Sequence, residues 1–332
     1  MFDFYVKYML EVLSMKYPNF LCVCLNPTLQ KTLLFTSWQR DQVNRTGSYR
    51  LDASGKGVNV GRVLTQLGKD ALHLTQLGGH FRDLFINLCK NDGLPLVWTD
   101  SSSEIRFCYT LLDREDHSVT ELVEESEPVH PGTEQAVLEL FEEESLRISK
   151  KATKQPTLII SGTKAAGFSD EIIPLMVSHA KHRGYRIILD IKGKDLQNSL
   201  LYRPQFIKPN LLEFCTTYLP DLEQGKIQVD ENYQQSIQEQ VVSQAQLLAT
   251  KFGCSIIITR GSKPIWVIEG SKFYEVPLTP VVPVNTTGSG DAFTAGLASA
   301  LDDGHTLKSA ITEGIRCGAL NAALLKPGVI RE

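Results

Sequence analysis

Residues Thr157–Ile191, "TLIISGTKAAGFSDEIIPLMVSHAKHRGYRIILDI", decide the fold class. Two apolar runs rich in Ile and Leu flank a segment with helical periodicity, which we expect to begin at Ser169-Asp170 and to end at Gly184. Strand, helix and strand in this order predict a βαβ unit, whose two strands lie parallel in one sheet.

The same rhythm continues along most of the chain. Apolar runs such as "NFLCVCLN", "QFIKPN" and "CSIIITRG" alternate with segments of helical period, which predicts an α/β fold with a mostly parallel central sheet flanked by helices. Two segments break the rhythm: "LQKTLLFTSWQRDQVNRTGSYRLDASG", and "EIRFCYTLLDREDHSVTELVEE", which has the pattern of a hairpin. A few separate strands cannot bury both of their faces, so we predict a small β-sheet lid that covers a site, a second subunit, or both.

The opening residues "MFDFYVKYMLEVLS" are amphipathic and charged, so they are neither a membrane span nor a signal peptide. They are predicted to be an added extension, and a start codon placed too early is an equal alternative. The predicted boundaries are 15–27, 53–103 and 126–332 for the α/β body, 28–52 and 104–125 for the lid, and 1–14 for the N-terminal extension.

Composition excludes several function classes. The 332 residues carry a formal net charge of −4 and include no basic cluster with interleaved aromatics, which argues against nucleic acid as a partner. The seven cysteines are scattered and lie mostly in apolar runs, a pattern typical of reduced thiols rather than a disulfide framework. We therefore predict a cytoplasmic protein that does not act on a membrane.

The stretch "VNTTGSGDAF", Val284–Phe293, is the first of three candidate sites. Gly288 and Gly290 allow backbone N–H groups to converge on one point ahead of a helix, an arrangement that stabilises an anion such as a transferring phosphoryl group. Asp291 beside that anion is suited to take the proton from an attacking hydroxyl. The alternative is an ordinary loop whose Ser or Asp caps a helix.

The stretch "GKGVNVGRVLTQLG", Gly55–Gly68, is the second. Lys56 and Asn59 stand at the mouth of a predicted amphipathic helix, where they are suited to hold hydroxyls or an anionic substituent, and Gly57 permits close approach of the backbone. A turn that leads into a helix with an exposed Lys is the alternative.

The third is "FIKPNLLEF", in which Asn210 and Glu213 lie one helical turn apart on one face. Oxygen donors so spaced suit Mg²⁺ held through its waters. An N-terminal capping box, with Asn at the N-cap and Glu three residues later, is the alternative. "TRG", Thr259–Gly261, follows an apolar strand at the end where α/β proteins bind ligands.

The order "NP", "GKGxNV", "IKPNxxE", "TRG" and "NTTGSGDAF", followed by an Ala/Gly-rich helix pair, resembles the pfkB (ribokinase-like) carbohydrate kinase family over nearly the whole chain from about Phe20. "SGKGVNVGRVLTQLG", "EIRFCYTLLD" and "SVTEL" resemble the branch of 1-phosphofructokinase and tagatose-6-phosphate kinase. The resemblance implies a ribokinase-like α/β body with a small β lid, homodimerisation through that lid, and phosphorylation of a sugar hydroxyl by ATP with Mg²⁺. It leaves open a monovalent cation near the anion loop.

The resemblance also implies roles for individual residues. Asp291 is the general base, and Thr287, Gly288, Ser289 and Gly290 form the anion hole. Substrate contacts are expected at Gln30, Gly55, Lys56, Gly57 and Asn59, with Arg106 on the substrate phosphate. The ATP phosphates and Mg²⁺ are expected near Lys208, Asn210 and Glu213, and the nucleotide near Thr259, Gly261 and Asn321.

Four positions depart from the family's pattern. Gln30 stands where an Asp usually binds sugar hydroxyls, Ser54 and Pro264 stand where Gly is usual, and Lys164 stands where Ser or Leu is usual. The predicted activity is phosphorylation of a phosphorylated ketohexose. The alternatives are a weakly active relative that binds nucleotide or sugar phosphate as a sensor, and a kinase for an unphosphorylated sugar or nucleoside.

Overall fold

The structure is a computed structural model that describes residues 18–227 and 230–331, so the predicted extension 1–14 lies outside the described residues. The strands are β1 Phe20–Cys24, β2 Thr28–Phe35, β3 Tyr49–Ser54, β4 Ala71–Leu77, β5 Leu96–Asp100, β6 Arg106–Asp113, β7 Val119–Val123, β8 Thr157–Ser161, β9 Arg186–Asp190, β10 Phe206–Ile207, β11 Ser255–Arg260, β12 Lys263–Glu269 and β13 Lys272–Val276. The α-helices are α1 Lys56–Gln66, α2 Arg82–Asn91, α3 Thr133–Lys151, α4 Ile172–His182, α5 Gly193–Ser199, α6 Leu211–Tyr218, α7 Gln224–Ile227, α8 Glu231–Ser236, α9 Gln238–Phe252, α10 Ser289–Asp302 and α11 Leu307–Ala322.

The central sheet has nine strands in the order β13-β12-β11-β10-β9-β8-β1-β4-β5. Pairing is parallel from β11 to β5, and only the β11-β12 and β12-β13 pairs are antiparallel. β1 and β8 are buried at every position, as expected for strands with helices packed on both faces of the sheet. The predicted α/β class with a mostly parallel sheet is confirmed.

The unit β8-α4-β9 has the order that the sequence predicts, with its two strands paired in parallel. The helix begins at Ile172, slightly later than the predicted Ser169-Asp170. The physical reason is a turn that precedes the helix, in which the Ser169 hydroxyl accepts a hydrogen bond from the Glu171 N–H at 3.2 Å. Gly184, with a left-handed φ of 78°, follows the end of the helix as predicted.

A second sheet of four strands in the order β3-β2-β6-β7 forms the lid. β2 and β6 pair in parallel, and β3 and β7 flank them in antiparallel pairs, so the predicted hairpin between β6 and β7 is present. Side chains alternate between faces along a strand. Gln30, Asp52 and Cys108, which are paired across three strands, therefore share one face with Arg106, and Tyr49 and Leu122 lie on the opposite face.

The helices α10 and α11 pack closely because glycines stand where they meet. A Cβ on Gly296 would lie 2.8 Å from the Cys317 sulfur, and a Cβ on Gly314 would lie 2.8 Å from the Phe293 ring. All seven cysteines are buried and unpaired. Among the described residues, no helix has the length and apolar character needed to cross a membrane.

Candidate active site

A cleft of about 160 Å³ lies between the lid and the carboxyl ends of the central strands. Parallel strands place the residues that follow them at this edge of a sheet, where α/β proteins bind their ligands. The cleft combines predicted and unpredicted residues. Its lining residues are Cys24, Asn26, Gly55, Lys56, Arg106, Gly162, Thr163, Asp190, Ile191, Lys192 and Glu213.

Asp291 lies in the first turn of α10 and is only 6% exposed. Gly288 forms the N-cap with a left-handed φ of 84°, and a Cβ there would lie 2.6 Å from the backbone nitrogen of Gly328. Burial, and next the negative charge of Asp190, raise the pKa of Asp291 to about 7, against the opposing effects of Lys56, Asn59 and Lys208. A carboxyl with a pKa near neutrality is suited to accept a proton during a reaction.

The anion loop ahead of Asp291 is held by hydrogen bonds within the chain. The Ser289 N–H donates to the Thr286 carbonyl at 3.1 Å, and the Thr287 N–H donates to Asn285 Oδ1 at 3.0 Å. Ser289 N–H is therefore engaged in the turn, and the N–H groups at the start of α10 that lack an intrahelical acceptor remain suited to an anion. The Thr287 hydroxyl donates to Glu121 of the lid at 3.0 Å, which joins the lid to this loop.

Asn59 lies against the base. Its Nδ2 donates to Asp291 Oδ2 at 2.8 Å, and its Oδ1 accepts from Arg62 Nη1 at 2.9 Å and from the Ser54 hydroxyl at 3.2 Å. The sequence predicts that Asn59 contacts the substrate; in the structure its described side-chain hydrogen bonds are all within the protein. Its neighbour Gly57 brings α1 close to β1, because a Cβ there would lie 2.5 Å from the Val23 carbonyl oxygen.

Two lysines and two further acids surround the base. Lys56 Nζ lies 2.8 Å from Glu213 Oε1 and 3.6 Å from Asp190 Oδ1, and Lys208 Nζ lies 3.2 Å from Asp190 Oδ2. Burial alone would lower the pKa of Lys56, but Asp190, Glu213 and Asp291 outweigh it and raise that pKa. Burial would raise the pKa of Glu213, but Lys56 and then Lys208 lower it. Lys56 is therefore cationic at neutral pH.

Asn210 and Glu213 form the capping box that the sequence offers as an alternative. The Asn210 side chain accepts from the Glu213 N–H at 2.8 Å, and Glu213 Oε2 accepts from the Asn210 N–H at 2.9 Å. Asn210 also pairs with Thr259 through a backbone bridge between neighbouring strand ends. The capping box explains how α6 begins and holds the Glu213 carboxylate at the edge of the cleft.

Arg106 and Gln30 belong to the face of the lid that looks onto the cleft. Arg106 Nη1 donates to the Glu124 carbonyl at 3.1 Å, and its buried Nε has no hydrogen-bond partner in the described structure. Gln30 is 5% exposed, and its Nε2 donates to the Thr110 hydroxyl at 2.7 Å. Arg106 thus lines the cleft with an unused donor, whereas the Gln30 amide is engaged inside the lid.

The predicted nucleotide residues are more dispersed. Gly261, with a φ of 61°, forms the turn between β11 and β12. Asn321 is fully buried; its Nδ2 donates to the Val329 carbonyl at 3.0 Å, and its Oδ1 accepts from the Ser289 hydroxyl at 3.3 Å. Asn321 therefore holds the residues after α11 against the anion loop.

Of the three other departures from the family's pattern, Ser54 and Lys164 have structural accounts, and nothing in the structure explains Pro264. The Ser54 hydroxyl donates to Asn59 beside the base. Lys164 pairs with Asp170 at 2.9 Å and with Asp195, and it does not line the cleft. The Pro264 carbonyl accepts from Arg260 Nη1 at 3.3 Å, and the Arg260 guanidinium lies 3.9 Å from the Trp266 ring centroid.

Sequence reasoning missed Asp190, Lys192 and Arg62. Asp190 ends a buried strand at the ligand-binding edge of the sheet, so its position in "RIILDI" was a usable signal. Lys192 follows it by two residues and lines the same cleft. Arg62 is 1% exposed on a helix whose sequence pattern is amphipathic, and a single sequence does not indicate which residues it contacts.

The chain is similar to proteins of known structure along nearly its whole length. A model of the "pfkB family carbohydrate kinase" matches residues 21–330. Phosphofructokinase-2 from Escherichia coli, solved with substrates and products, has a TM-score of 0.76 and 19% identity over 91% of this chain and 92% of that chain. A possible 1-phosphofructokinase from Thermotoga maritima has a TM-score of 0.75 and 17% identity over 92% of each chain.

Ribokinase from Arabidopsis thaliana, complexed with ribose and ATP, has a TM-score of 0.67 and 17% identity over 95% of each chain. At these identities the likeness between structures establishes the ribokinase-like fold. The family model adds the sequence match, which runs from β1 to the residues beyond α11. The chain therefore belongs to the pfkB family of carbohydrate kinases.

Proposed function

We propose that this carbohydrate kinase transfers the γ-phosphoryl group of ATP to a hydroxyl of a phosphorylated ketohexose, of the fructose 1-phosphate, fructose 6-phosphate or tagatose 6-phosphate type. The observation that carries the proposal is the Arg106 guanidinium, which lines the cleft with a buried and unpartnered Nε. A buried donor without an acceptor is costly, and a guanidinium binds phosphate oxygens through two parallel hydrogen bonds. The substrate phosphate satisfies that donor.

Asp291 is the proposed general base. Its carboxylate accepts the proton of the substrate hydroxyl as the hydroxyl oxygen attacks phosphorus. The N–H groups at the start of α10 and the ammonium of Lys208 stabilise the charge on the transferring group. A Cβ on Gly290 would lie 3.6 Å from Lys208 Nζ, so the glycine leaves room for an anion between the loop and the lysine.

Lys56 is the proposed link between the two substrates. It lines the cleft together with Arg106, and its ammonium contacts Glu213 and Asp190 on the opposite wall. In that position it is suited to a phosphate oxygen or to a sugar hydroxyl. Asp190 contacts both lysines and so holds them near the base before substrate enters.

ATP and Mg²⁺ fit the chemistry of this site. Glu213 and Asn210 offer hard oxygen donors of the kind that hold Mg²⁺ through its waters. Among the described residues there is no cluster of three or more acidic, His or Cys side chains that would hold an ion directly. Bound Mg²⁺ would neutralise phosphate charge, and the chain's own residues orient the substrates.

A monovalent cation near the anion loop remains part of the proposal. Phosphofructokinase-2 from Escherichia coli has been solved in complex with potassium. The Ala322 and Val329 carbonyls near this loop accept hydrogen bonds from Val284 and Asn321, so the support for a cation comes from that relative. Activity in KCl compared with choline chloride tests this requirement.

The lid is also proposed to join two copies of the chain. Its outer face carries Tyr49 and Leu122, which are 59% and 52% exposed. These two residues lie on the two edge strands of the lid, β3 and β7, and exposed apolar side chains across one face favour an interaction with another protein surface. Phosphofructokinase-2 from Escherichia coli has been solved in a tetrameric inhibited form.

The experiment that tests the function is ADP release by the purified protein with Mg-ATP. The acceptors are fructose 1-phosphate, fructose 6-phosphate, tagatose 6-phosphate, fructose, ribose and adenosine. We expect turnover with a phosphosugar, a fall of at least about 100-fold in Asp291→Asn, and a higher KM for the phosphosugar in Arg106→Ala.

Each other outcome selects an alternative. If Arg106→Ala leaves the KM of the best substrate unchanged, the substrate is an unphosphorylated sugar or a nucleoside. If no acceptor is turned over while ATP raises the melting temperature, the protein is a binding relative rather than a kinase for these sugars. Gln30→Asp with the best phosphosugar tests the lid side: a rise in kcat/KM would place that position at the sugar hydroxyls.

A further inference from the structure

Arg62 lies one helical turn after Asn59 on α1 and is 1% exposed. Its Nη1 donates to Asn59 Oδ1 at 2.9 Å and to the Pro327 carbonyl at 3.2 Å. Its Nε donates to Asp92 Oδ2 at 2.7 Å, and its Nη2 donates to the Ala53 carbonyl. All three guanidinium nitrogens are therefore engaged inside the protein, and Arg62 does not line the cleft.

These contacts fix the orientation of the Asn59 amide. A guanidinium has donors and no acceptor, so the Asn59 atom that faces Arg62 must be the oxygen. The Asn59 NH₂ group then faces Asp291 Oδ2, to which it donates at 2.8 Å. The Ser54 hydroxyl, which also contacts Asn59 Oδ1, can donate or accept and does not select the orientation by itself.

We propose that Arg62 is a positioning residue for the base: it holds the Asn59 amide so that the amide always donates to Asp291. The proposal deepens the function above and rests on Asp291 as the general base. The Asn59 NH₂ group then donates to the base rather than alternating between the base and the substrate. It keeps one Asp291 oxygen occupied, which leaves the other oxygen to receive the proton of the substrate hydroxyl.

Residues 326–329, which follow α11, complete this arrangement. A Cβ on Gly328 would lie 2.5 Å from the Asn59 Cβ, and the φ of Gly328 is 65°, a left-handed value. The Pro327 carbonyl accepts from Arg62, and the Val329 carbonyl accepts from Asn321. Asn59 is therefore confined by Arg62 on one side and by the Gly328 backbone on another.

Three charged groups from different parts of the fold change the pKa of Asp291. Lys56 comes from α1, Asp190 from the end of β9, and Lys208 from the residue after β10. Arg62 adds a cation behind Asn59. A hydrogen bond donated by Asn59 favours the carboxylate over the carboxyl, so its loss moves the titration of Asp291 to higher pH.

The test compares Arg62→Met with Lys326→Met. Lys326 contacts Asp92 and lies 3.4 Å from Asp52, so its loss disturbs the same ion-pair network without touching Asn59. Titration of the Asp291 carboxyl is followed by ¹³C NMR, with the resonance assigned by Asp291→Asn. We expect Arg62→Met to raise the midpoint, and the acid limb of kcat/KM, by about 0.5 to 1 pH unit, with an unchanged KM for ATP.

Gly328→Ala reaches the same contact from the other side and leaves Arg62 in place. We expect it to shift the midpoint in the same direction, and we expect Lys326→Met to lower the Tm without any shift. Arg62 would be a purely structural residue if both Arg62→Met and Gly328→Ala lowered the Tm and left the Asp291 midpoint where it is. Failure of the proposed function is a separate result, since the NMR titration needs no turnover.

Discussion

Asp291 is buried and stands near Asp190, and both features favour its protonated form. The two lysines and Asn59 favour the carboxylate, so the balance leaves the carboxyl near neutrality. At pH 8 most molecules carry the base in its active form, and below pH 7 each unit of pH costs about a tenfold loss of it. The raised pKa makes the Asp291 carboxylate a stronger base than an ordinary Asp carboxylate, and it also leaves a larger protonated fraction below pH 7.

Asp190→Asn should move the acid limb of kcat/KM to lower pH. The substitution removes the negative charge that raises the pKa of Asp291 and keeps Lys56 and Lys208, which lower that pKa. We expect a shift of about one unit, measured as the pH profile of kcat/KM. Asp195→Asn is the control, because Asp195 pairs with Lys164 outside the cleft. A shift to higher pH in Asp190→Asn would contradict this account.

Asp291→Asn should stabilise the protein as it removes activity. The folded-state pKa of about 7 lies above the ordinary value of 3.8, so the unfolded chain releases this proton first and stability falls as pH rises from 3.8 to 7. The linkage sets an upper bound of about 4 kcal/mol on this loss. The Tm of Asp291→Asn should exceed that of the wild type at pH 8, and the difference should shrink toward pH 5. A lower Tm for Asp291→Asn than for the wild type at pH 8 would argue against a raised pKa of Asp291 in the folded protein.

At the scale of elements, α1 is the helix that connects the sheet, the lid and the base. It begins at Lys56 beside the cleft, carries Asn59 and Arg62, and packs through Gly57 on the carbonyl of Val23 in β1. The first turn of this helix packs so closely on β1 that residue 57 has no room for a side chain. The positions of Lys56 and Asn59 therefore depend on glycine at residue 57.

Gly57→Ala should destabilise the protein and impair catalysis together. Its Cβ would lie 2.5 Å from a backbone oxygen that belongs to the central sheet, so α1 must move away from β1. Overpacking of this kind costs about 1–3 kcal/mol, which thermal unfolding measures as a lower Tm. Gly225→Ala on α7 is the matched control, since a Cβ there would meet nothing within 4 Å. Equal Tm values for the two variants would show that α1 adapts.

The sequence predicted best what depends on neighbours in the chain. The unit β8-α4-β9, the hairpin β6-β7 and the capping box of Asn210 and Glu213 are local patterns of periodicity or spacing. The start of α4 was predicted too early because a hydroxyl residue also forms turns, as Ser169 does.

What the sequence did not predict depends on residues far apart. Asp190 acquires its role from lysines at positions 56 and 208, and Arg62 from groups at positions 59, 92 and 327. The hydrogen bonds of Asn321 with Ser289 and of Gln30 with Thr110 also join residues far apart in the chain, so the sequence did not predict them.

At the scale of the whole molecule, one face of the lid looks onto the cleft, and its other face is buried against the body at Leu29 and Ala53 and exposed at Tyr49 and Leu122. The inner face carries Arg106 and Gln30, and Glu121 of β7 reaches the anion loop. The outer face has no covering element among the described residues at Tyr49 and Leu122. An assembly that covers Tyr49 and Leu122 would bring a second copy of the chain onto the same sheet that carries Arg106.

Leu122→Glu should weaken the proposed dimer. A charge on the outer face of the lid opposes burial against a second copy, so sedimentation should shift toward the monomer. Leu247→Glu on α9, where the leucine is 65% exposed, controls for the added charge at a surface away from the lid. The same sedimentation for both variants would mean that the lid does not form the interface.

Gly328 packs on Asn59, so the base acquires its full set of partners only from residues at opposite ends of the chain. Loss of residues 326–329 would remove the Pro327 carbonyl that accepts from Arg62 and the Gly328 backbone that packs on Asn59. A chain shortened by a few residues at this end would therefore keep the residues of the cleft, the anion loop and both lysines, and lose the confinement of the amide that donates to Asp291.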